Sequence, residues 1–365
     1  GSGSIIELTT FLIGKGGKDD QAGEGWDGLI DEVRILSTVR DQCWIQTEYN
    51  NQNSPSSFYT VGYEEPLNFI YYKPLTIQSS MMGTSCGTSG VTEFPLLISL
   101  SGVTDIKTVA NGGHVQSSSG YDIIFKDASG VKLDHEIERY DGSAGDLVAW
   151  VRVPVISGTT NTALYMYYGN SNVTSSTENK TGVWDSNYKG VWHLEEAVTN
   201  NATLAGAHDD STSNNNDGSQ MNNDDVSAKI YNGQDFEGDA RDEYVEIPNS
   251  TFLENVQEGD YTIEAWFYSD TEPPGTDSAA WNSAYAVVVK NGYHLGIMYR
   301  HGNYFQMHHW LTGDVDEAIS SGVKSNTSWY HVVGVVSKTD GYVKLYVNGE
   351  DEGTTTFTAG TAARE

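Results

Sequence analysis

Short segments in which every second residue is apolar limit this chain to folds built from β-strands. Between residues 261 and 267, positions 261, 263, 265 and 267 are all apolar, a spacing that gives a strand one buried face. Asn348-Gly349, directly after the alternating segment 342–347, is typical of a two-residue hairpin turn. The 365 residues include 39 Gly and 22 Tyr, and few stretches could form long helices. We therefore predict an all-β fold.

The length and charge of the chain bound its domain count and its partners. A chain of 365 residues is long enough for two or three domains, each with its own core. Its formal charge of -30 argues against nucleic acid as a partner, because phosphate binding needs a basic surface. No apolar run approaches the roughly 20 residues that cross a bilayer, so we predict no membrane span.

The two ends of the chain carry complementary pieces of one kind of β-module. Near the front, the strand pattern of residues 25–36 leads into a short helix pattern around Trp44, which Ser37 can cap. The markers of the back piece are Gly190-Val191-Trp192-His193-Leu194, Asp235-Phe236-Glu237-Gly238, the strand 261–268 and Trp329-Tyr330-His331-Val332-Val333. Both pieces resemble laminin-G-like (LamG, concanavalin A-like) jelly rolls. The resemblance implies that the front piece is a module's closing strands, and that the back piece lacks them.

The middle of the chain contains a second kind of unit. Its alternating segments include Phe94-Pro95, Phe125-Lys126-Asp127, His135-Glu136-Ile137-Glu138 and Tyr167-Tyr168-Gly169-Asn170. These phrases resemble a prokaryotic domain family of unknown function that commonly stands just before LamG modules. That family has no settled activity to imply here.

Together these patterns predict a concanavalin A-like jelly roll split across the two termini, with a separate β-sandwich-like domain between. The predicted boundaries are residues 1–52 for the closing strands and helix, 53–68 for a linker, 69–182 for the domain of unknown function, and 183–365 for the jelly roll.

A jelly roll without its closing strands would expose sheet edges and core, so something must complete it. A neighbouring copy, the same chain or an adjacent covalent repeat could do so. Donation by a neighbour is favoured, because residues 54–65 resemble the usual exit from a LamG module. Copies of the protein would then join head-to-tail. The predicted assembly residues are Phe11, Leu12, Ile13, Leu29, Ile30, Val33 and Ile35.

The leading functional prediction is an extracellular or cell-surface structural protein that assembles into a filament or surface array. The alternative is a carbohydrate-binding adhesin module, one period of a tandem-repeat protein, with Tyr299, Tyr304 and Trp310 as candidate sugar contacts. A glycoside hydrolase is a weak third reading. The acidic segments Asp31-Glu32, Glu195-Glu196 and Asp314-Val315-Asp316-Glu317 do not reproduce the carboxylate pattern of such enzymes, so we predict no catalytic activity.

Two histidine motifs are open to a metal-site interpretation. His135-Glu136-Ile137-Glu138 and His308-His309 lie in strand patterns and lack metal-ligand spacing. We expect both to be solvated strand residues.

Several residues are candidates for ion binding or modification. Ca²⁺ prefers oxygen ligands from loops, and clustered acidic and amide side chains could supply them or could simply be solvated turns. The candidate ligands are Asp209, Asp210, Asn214, Asp217, Asp239, Asp242 and Glu243. Glycosylation sequons stand at Asn172, Asn179, Asn201, Asn249 and Asn326. Cys43 and Cys86 could form one disulfide or remain two buried thiols.

Overall fold

A computed structural model describes residues 10–15, 25–67, 70–237, 243–273, 284–290, 295–311, 314–320 and 322–362. The chain divides into two compact units. Gly1–Arg40 and Ser186–Glu365 form one, which we call the split unit, and Asp41–Asp185 form the other, the inserted unit.

The elements follow one another in chain order. The first half contains β1 (Phe11–Ile13), β2 (Gly28–Leu36), α1 (Gln42–Asn53), α2 (Pro55–Phe58), β3 (Tyr59–Val61), β4 (Glu65–Leu67), β5 (Ile70–Ile77), β6 (Val91–Leu100), β7 (Ile124–Asp127), β8 (Lys132–Leu133), β9 (His135–Asp141), β10 (Asp146–Ile156), β11 (Thr162–Tyr168) and α3 (Lys180–Val183). The second half contains β12 (Tyr188–Trp192), β13 (Thr203–His208), β14 (Gly218–Met221), β15 (Asp224–Ser227), β16 (Asn232–Phe236), β17 (Tyr244–Ile247), α4 (Thr251–Glu254), β18 (Tyr261–Ser269), β19 (Ala284–Lys290), β20 (Leu295–Arg300), β21 (Tyr304–Leu311), β22 (Asp314–Ile319), β23 (Trp329–Ser337), β24 (Tyr342–Val347) and β25 (Glu350–Thr356).

Two antiparallel sheets enclose the core of the split unit. Within the described residues, sheet A has the order β13-β14-β17-β1-β19-β20-β21-β22, and sheet B the order β15-β16-β2-β18-β23-β24-β25 with β12 also paired to β2. The alternation in β18 is confirmed, since Tyr261, Ile263, Ala265 and Phe267 all lie in the core. The predicted hairpin is confirmed as well: Asn348-Gly349, both at positive φ, join β24 to β25.

The front strands complete the jelly roll of their own chain. Strand β1 pairs with β17 on one side and β19 on the other, and β2 lies between β16 and β18. Gly28 permits the start of β2, because its φ is +139° and a Cβ there would lie 2.0 Å from the Tyr268 carbonyl oxygen. Five of the predicted assembly residues, Phe11, Ile13, Ile30, Val33 and Ile35, are core residues here. In the single chain this segment pairs with its own strands, which makes the middle domain an insertion. Donation by a neighbour stays a prediction.

The inserted unit is a smaller sandwich. Within the described residues, sheet C has the order β3-β5-β11-β7-β8 with β4 also on β5, and sheet D the order β6-β10-β9. Its core joins side chains of both sheets, including Leu75, Phe125 and Met166 from sheet C and Phe94 and Val151 from sheet D. The predicted β-sandwich between the two jelly-roll pieces is thus present.

The boundaries of the inserted unit differ from those predicted. Asp41, not Ser37, caps α1, and its side chain accepts a hydrogen bond from the Trp44 amide at 2.8 Å. Helix α1 belongs to the inserted unit, because Trp44 packs on Phe94 with ring centroids 5.0 Å apart and Cys43 forms a disulfide with Cys86. The predicted linker 53–68 contains α2 and strands β3 and β4, which pair with β5. The insertion therefore begins at residue 41 rather than 69 and ends at 185 rather than 182.

Candidate functional site

The acidic loop predicted to bind Ca²⁺ is organised by its own hydrogen bonds. The buried Asp210 carboxylate accepts from the amides of Val191 and Thr212 on Oδ1, and from the Thr212 hydroxyl and the Asn216 amide on Oδ2, at 2.9–3.1 Å. The Asp210 amide in turn donates to Asp217 Oδ1 at 3.0 Å. Asp210 therefore holds the turn in shape.

The remaining candidate ligands make further local contacts. The Asn214 side chain donates to the Tyr188 carbonyl oxygen at 3.1 Å, and the Glu243 carboxylate accepts from the Glu237 amide at 2.5 Å. The amide of Asp209 donates to Glu196. Asp239 and Asp242 lie outside the described residues. Ca²⁺ binding stays a prediction, which thermal unfolding with and without a chelator would check.

The acidic pair in β2 is buried in an ion-pair network of the split unit. Glu32 Oε2 lies 3.0 Å from an Arg34 guanidinium nitrogen, and Glu32 Oε1 lies 2.9 Å from His193 Nδ1. Arg34 also lies 3.6 Å from Glu264. Burial, and secondarily the charge of Glu32, raises the pKa of Asp31 well above its usual range. The Arg34 guanidinium offsets the negative charge of Glu32 inside the fold.

Both histidine motifs are buried, in contrast to the solvated strands that we predicted. His135 lies in the core of the inserted unit against Phe125, with ring centroids 5.4 Å apart, and burial lowers its pKa. His309 Nδ1 lies 2.9 Å from the Tyr261 hydroxyl, and burial lowers the pKa of His309 to about 3. His308 is buried as well. All three imidazoles are therefore packed within the fold rather than solvated.

The face of sheet A that points away from the core carries a polar and aromatic cluster. Arg300, at the end of β20, donates from Nη1 to Gln306 Oε1 at 2.7 Å, and the same nitrogen lies 3.6 Å from Glu317. Tyr304 is the direct cross-strand neighbour of Arg300 and is half-buried, as is Trp310 further along β21. We call Arg300, Tyr304, Gln306, Trp310 and Glu317 the outer-face cluster.

The three aromatic candidates for sugar contact divide between the two faces of sheet A. Tyr299 is a core residue, packed on Phe305 and Trp26. The prediction that it contacts a sugar at the surface is therefore wrong. Tyr304 and Trp310 alternate with the core residues Phe305 and Met307 and lie on the opposite face. Arg300 and Gln306 were not predicted, because their proximity depends on the pairing of β20 with β21.

Sequence reasoning also missed a polar cluster in the inserted unit. Glu64 Oε2 accepts from the Tyr168 hydroxyl at 2.7 Å and lies 2.8 Å from His114 Nδ1. The His114 ring stacks on Tyr71 with centroids 3.8 Å apart. Gly169, at φ +93°, allows this packing, since a Cβ there would meet the Tyr71 ring at 2.9 Å. The motif Tyr167-Tyr168-Gly169-Asn170 thus anchors one end of sheet C.

Two antiparallel sheets around one core define the split unit as a jelly-roll β-sandwich. Residues 239–364 match the concanavalin A-like lectin/glucanases superfamily, so the protein contains a concanavalin A-like domain. Residues 119–202 match a domain of unknown function (DUF2341). Both resemblances noted in the sequence are thereby confirmed. No curated protein and no solved structure matches the chain.

Proposed function

We propose that this is an extracellular adhesion protein that binds carbohydrate through the outer-face cluster of sheet A. The observation that carries the proposal is the pair of half-buried rings, Tyr304 and Trp310, which share one face of sheet A with the partly exposed Glu317. The buried Arg300 guanidinium beneath them lies between Gln306 and Glu317. All five residues lie in the part of the chain that matches the lectin/glucanases superfamily.

The chemistry of the cluster suits a hydroxylated ligand. Arg300 and Gln306 are buried and hold Glu317 in place, and the partly exposed Glu317 carboxylate can accept hydrogen bonds from sugar hydroxyls. Tyr304 and Trp310 offer ring faces on which the C–H groups of a sugar can pack. The two rings are six positions apart along the extended strand, a distance of roughly 20 Å. That length suits an extended oligosaccharide.

An extracellular location is supported by two features of the described residues. The Cys43–Cys86 disulfide is of a kind that persists in oxidising compartments. Four of the five sequon asparagines, Asn172, Asn179, Asn201 and Asn249, are exposed and could carry glycans. The fifth, Asn326, accepts a hydrogen bond from the Tyr299 hydroxyl at 2.8 Å. Within the part of the chain that the structure describes, none of the helices has the length and apolar character of a membrane span.

The proposal is binding without turnover. Asp31 and Glu32 are buried, and Glu196 is engaged by His208 at 2.9 Å, which leaves these carboxylates poorly placed to flank a glycosidic bond. Hydrolysis of a bound polysaccharide that is lost in a Glu317→Gln variant would contradict this part.

Affinity electrophoresis tests the proposal. The protein runs in native gels containing laminarin, dextran, xylan or mannan, all neutral polymers, so retardation reports binding. We expect at least one polymer to retard the wild type, and Trp310→Ala and Tyr304→Ala to weaken that retardation roughly tenfold or more, as for other aromatic anchors. Trp329→Ala, a half-buried tryptophan on sheet B, is the matched control. Equal retardation of the wild type and all three variants would contradict the proposal.

A further inference from the structure

A second aromatic surface lies in the inserted unit, on the face of sheet C that points away from its core. Met166 and Tyr168 of β11 are core residues, so Tyr165 and Tyr167 lie on the opposite face. Tyr72 of β5 is the direct cross-strand partner of Tyr167. All three tyrosines are half-buried.

The three rings form one continuous surface. Tyr72 stacks on Tyr167 with centroids 5.4 Å apart, and meets Tyr165 edge-on at 5.8 Å. The Lys126 ammonium lies 4.7 Å from the centre of the Tyr167 ring, and Pro74 pairs directly with Tyr165. We call Tyr72, Tyr165 and Tyr167 the tyrosine platform. Core packing does not account for it, because the rings stand on the far side of the sheet from the core.

We propose that the tyrosine platform binds a neutral polysaccharide, independently of the outer-face cluster in the split unit. Each tyrosine combines a π face, whose negative quadrupole attracts the C–H groups of a pyranose, with a hydroxyl that can donate and accept hydrogen bonds. Three such rings on one face of the sheet give several contacts with one polymer. Tyrosine is also enriched among residues that dominate binding energies.

The charge of the chain favours a neutral polysaccharide over a phosphate-bearing polymer or a second copy of the chain as the occupant of the platform. The net charge of -30 repels phosphate-bearing polymers, and Lys126 is the one cationic group in contact with these rings among the described residues. A second copy of the chain would bring another net charge of -30 to the surface, which opposes pairing of two platforms. A neutral hydroxylated polymer incurs neither repulsion.

The test uses the full-length protein with the platform substituted as Tyr72→Ala together with Tyr167→Ala. Tyr121→Ala, another half-buried tyrosine of the inserted unit, is the control. In the same four polysaccharide gels, we expect the double variant to lose retardation on at least one polymer roughly tenfold. Tyr121→Ala and Trp310→Ala should keep retardation on that polymer. Thermal unfolding of each variant identifies any that are misfolded, and Tyr72→Phe with Tyr167→Phe should retain part of the binding.

The outcomes separate this site from the one in the split unit. Loss with Trp310→Ala alone supports the outer-face cluster and overturns the platform. Loss of retardation with the double tyrosine variant alone supports the tyrosine platform and contradicts binding by the outer-face cluster. A change of oligomeric state in the double variant, seen by analytical ultracentrifugation without a change in retardation, would identify a second copy as the occupant and overturn the proposal.

Discussion

The Asn51 side chain makes the two hydrogen bonds to the backbone of Leu97 that a neighbouring strand would otherwise make. Its side-chain Oδ1 accepts the Leu97 amide at 2.7 Å, and its Nδ2 donates to the Leu97 carbonyl oxygen at 3.1 Å. Two residues along β6, the Tyr59 hydroxyl both accepts from the Ser99 amide and donates to its carbonyl oxygen. Side chains from helix α1 and strand β3 thus satisfy the edge of sheet D, which would otherwise present unpaired backbone groups.

Asn51→Ala should destabilise the inserted unit. It leaves a buried amide and a buried carbonyl of Leu97 without partners, a cost of about 2 kcal/mol or more in unfolding free energy. Urea unfolding followed by near-UV circular dichroism would measure the change. The exposed Asn172→Ala is the control. An effect no larger than that of Asn172→Ala would show that water replaces the Asn51 amide.

Local patterns in the sequence were sufficient to predict the elements but not the boundary between the units. The alternation in β18 and the Asn348-Gly349 turn are properties of neighbouring residues, and both were predicted. The place of α1 depends on contacts distant in sequence, such as Asn51 with Leu97 and Cys43 with Cys86. No periodicity reveals such pairs.

Burial on the outer side of a sheet was the second feature that could not be predicted from the sequence. Alternation places His308 opposite the core residue Met307, and this position was expected to be solvated, yet His308 is buried. The same limitation applies to the outer-face cluster. Tyr304 and Trp310 could be proposed as aromatic strand residues, but Arg300, Gln306 and Glu317 become neighbours only through the register of three strands.

Acidification should destabilise the split unit through His309. Burial lowers the pKa of His309 to about 3, whereas an unfolded histidine titrates near about 6.5. Between these values the unfolded chain binds a proton that the folded chain excludes. Stability contributed by this group is therefore complete above the unfolded pKa and is lost as the pH falls, by up to about 1.4 kcal/mol per pH unit.

His309→Gln isolates this contribution. Glutamine does not titrate and can still accept a hydrogen bond from the Tyr261 hydroxyl. We expect the unfolding free energy of the variant to depend less steeply on pH between pH 4 and 6, as measured by urea titration at a series of pH values. Parallel pH profiles for the two proteins would contradict the assignment.

Asp235→Asn should stabilise the split unit at neutral pH. Asp235 lies directly opposite Asp224 in the β15–β16 ladder, and like charges so placed are unfavourable. Burial, followed by the charges of Asp270, Asp224 and Asp27, raises the pKa of Asp235 to about 6. The folded chain thus holds a proton that the unfolded chain loses between about pH 4 and 6, so the cost of ionising Asp235 is present above pH 6 and disappears on acidification.

Thermal unfolding at two pH values would check this expectation. The melting temperature of Asp235→Asn should exceed that of the wild type at pH 7.5, and the difference should shrink at pH 4.5. Asp225→Asn is the matched control, because Asp225 lies opposite the neutral Gln234 in the same ladder. A gain of the same size for both variants would point to net charge rather than to the pair of facing carboxylates.

Deletion of residues 1–36 should unfold the split unit and spare the inserted unit. Strand β1 lies inside sheet A and β2 inside sheet B, so the deletion interrupts both sheets and removes core residues such as Phe11 and Val33. The inserted unit keeps its own core and its Cys43–Cys86 disulfide. Limited proteolysis with mass spectrometry should therefore yield a resistant fragment near residues 41–185.

Adding a peptide of residues 1–36 in trans should restore protection of residues 186–362, because the strand positions it fills are specified by the register of β17, β19, β16 and β18. A resistant jelly roll in the deletion variant without the peptide would show that these strands are not needed to close it, and would contradict the split arrangement.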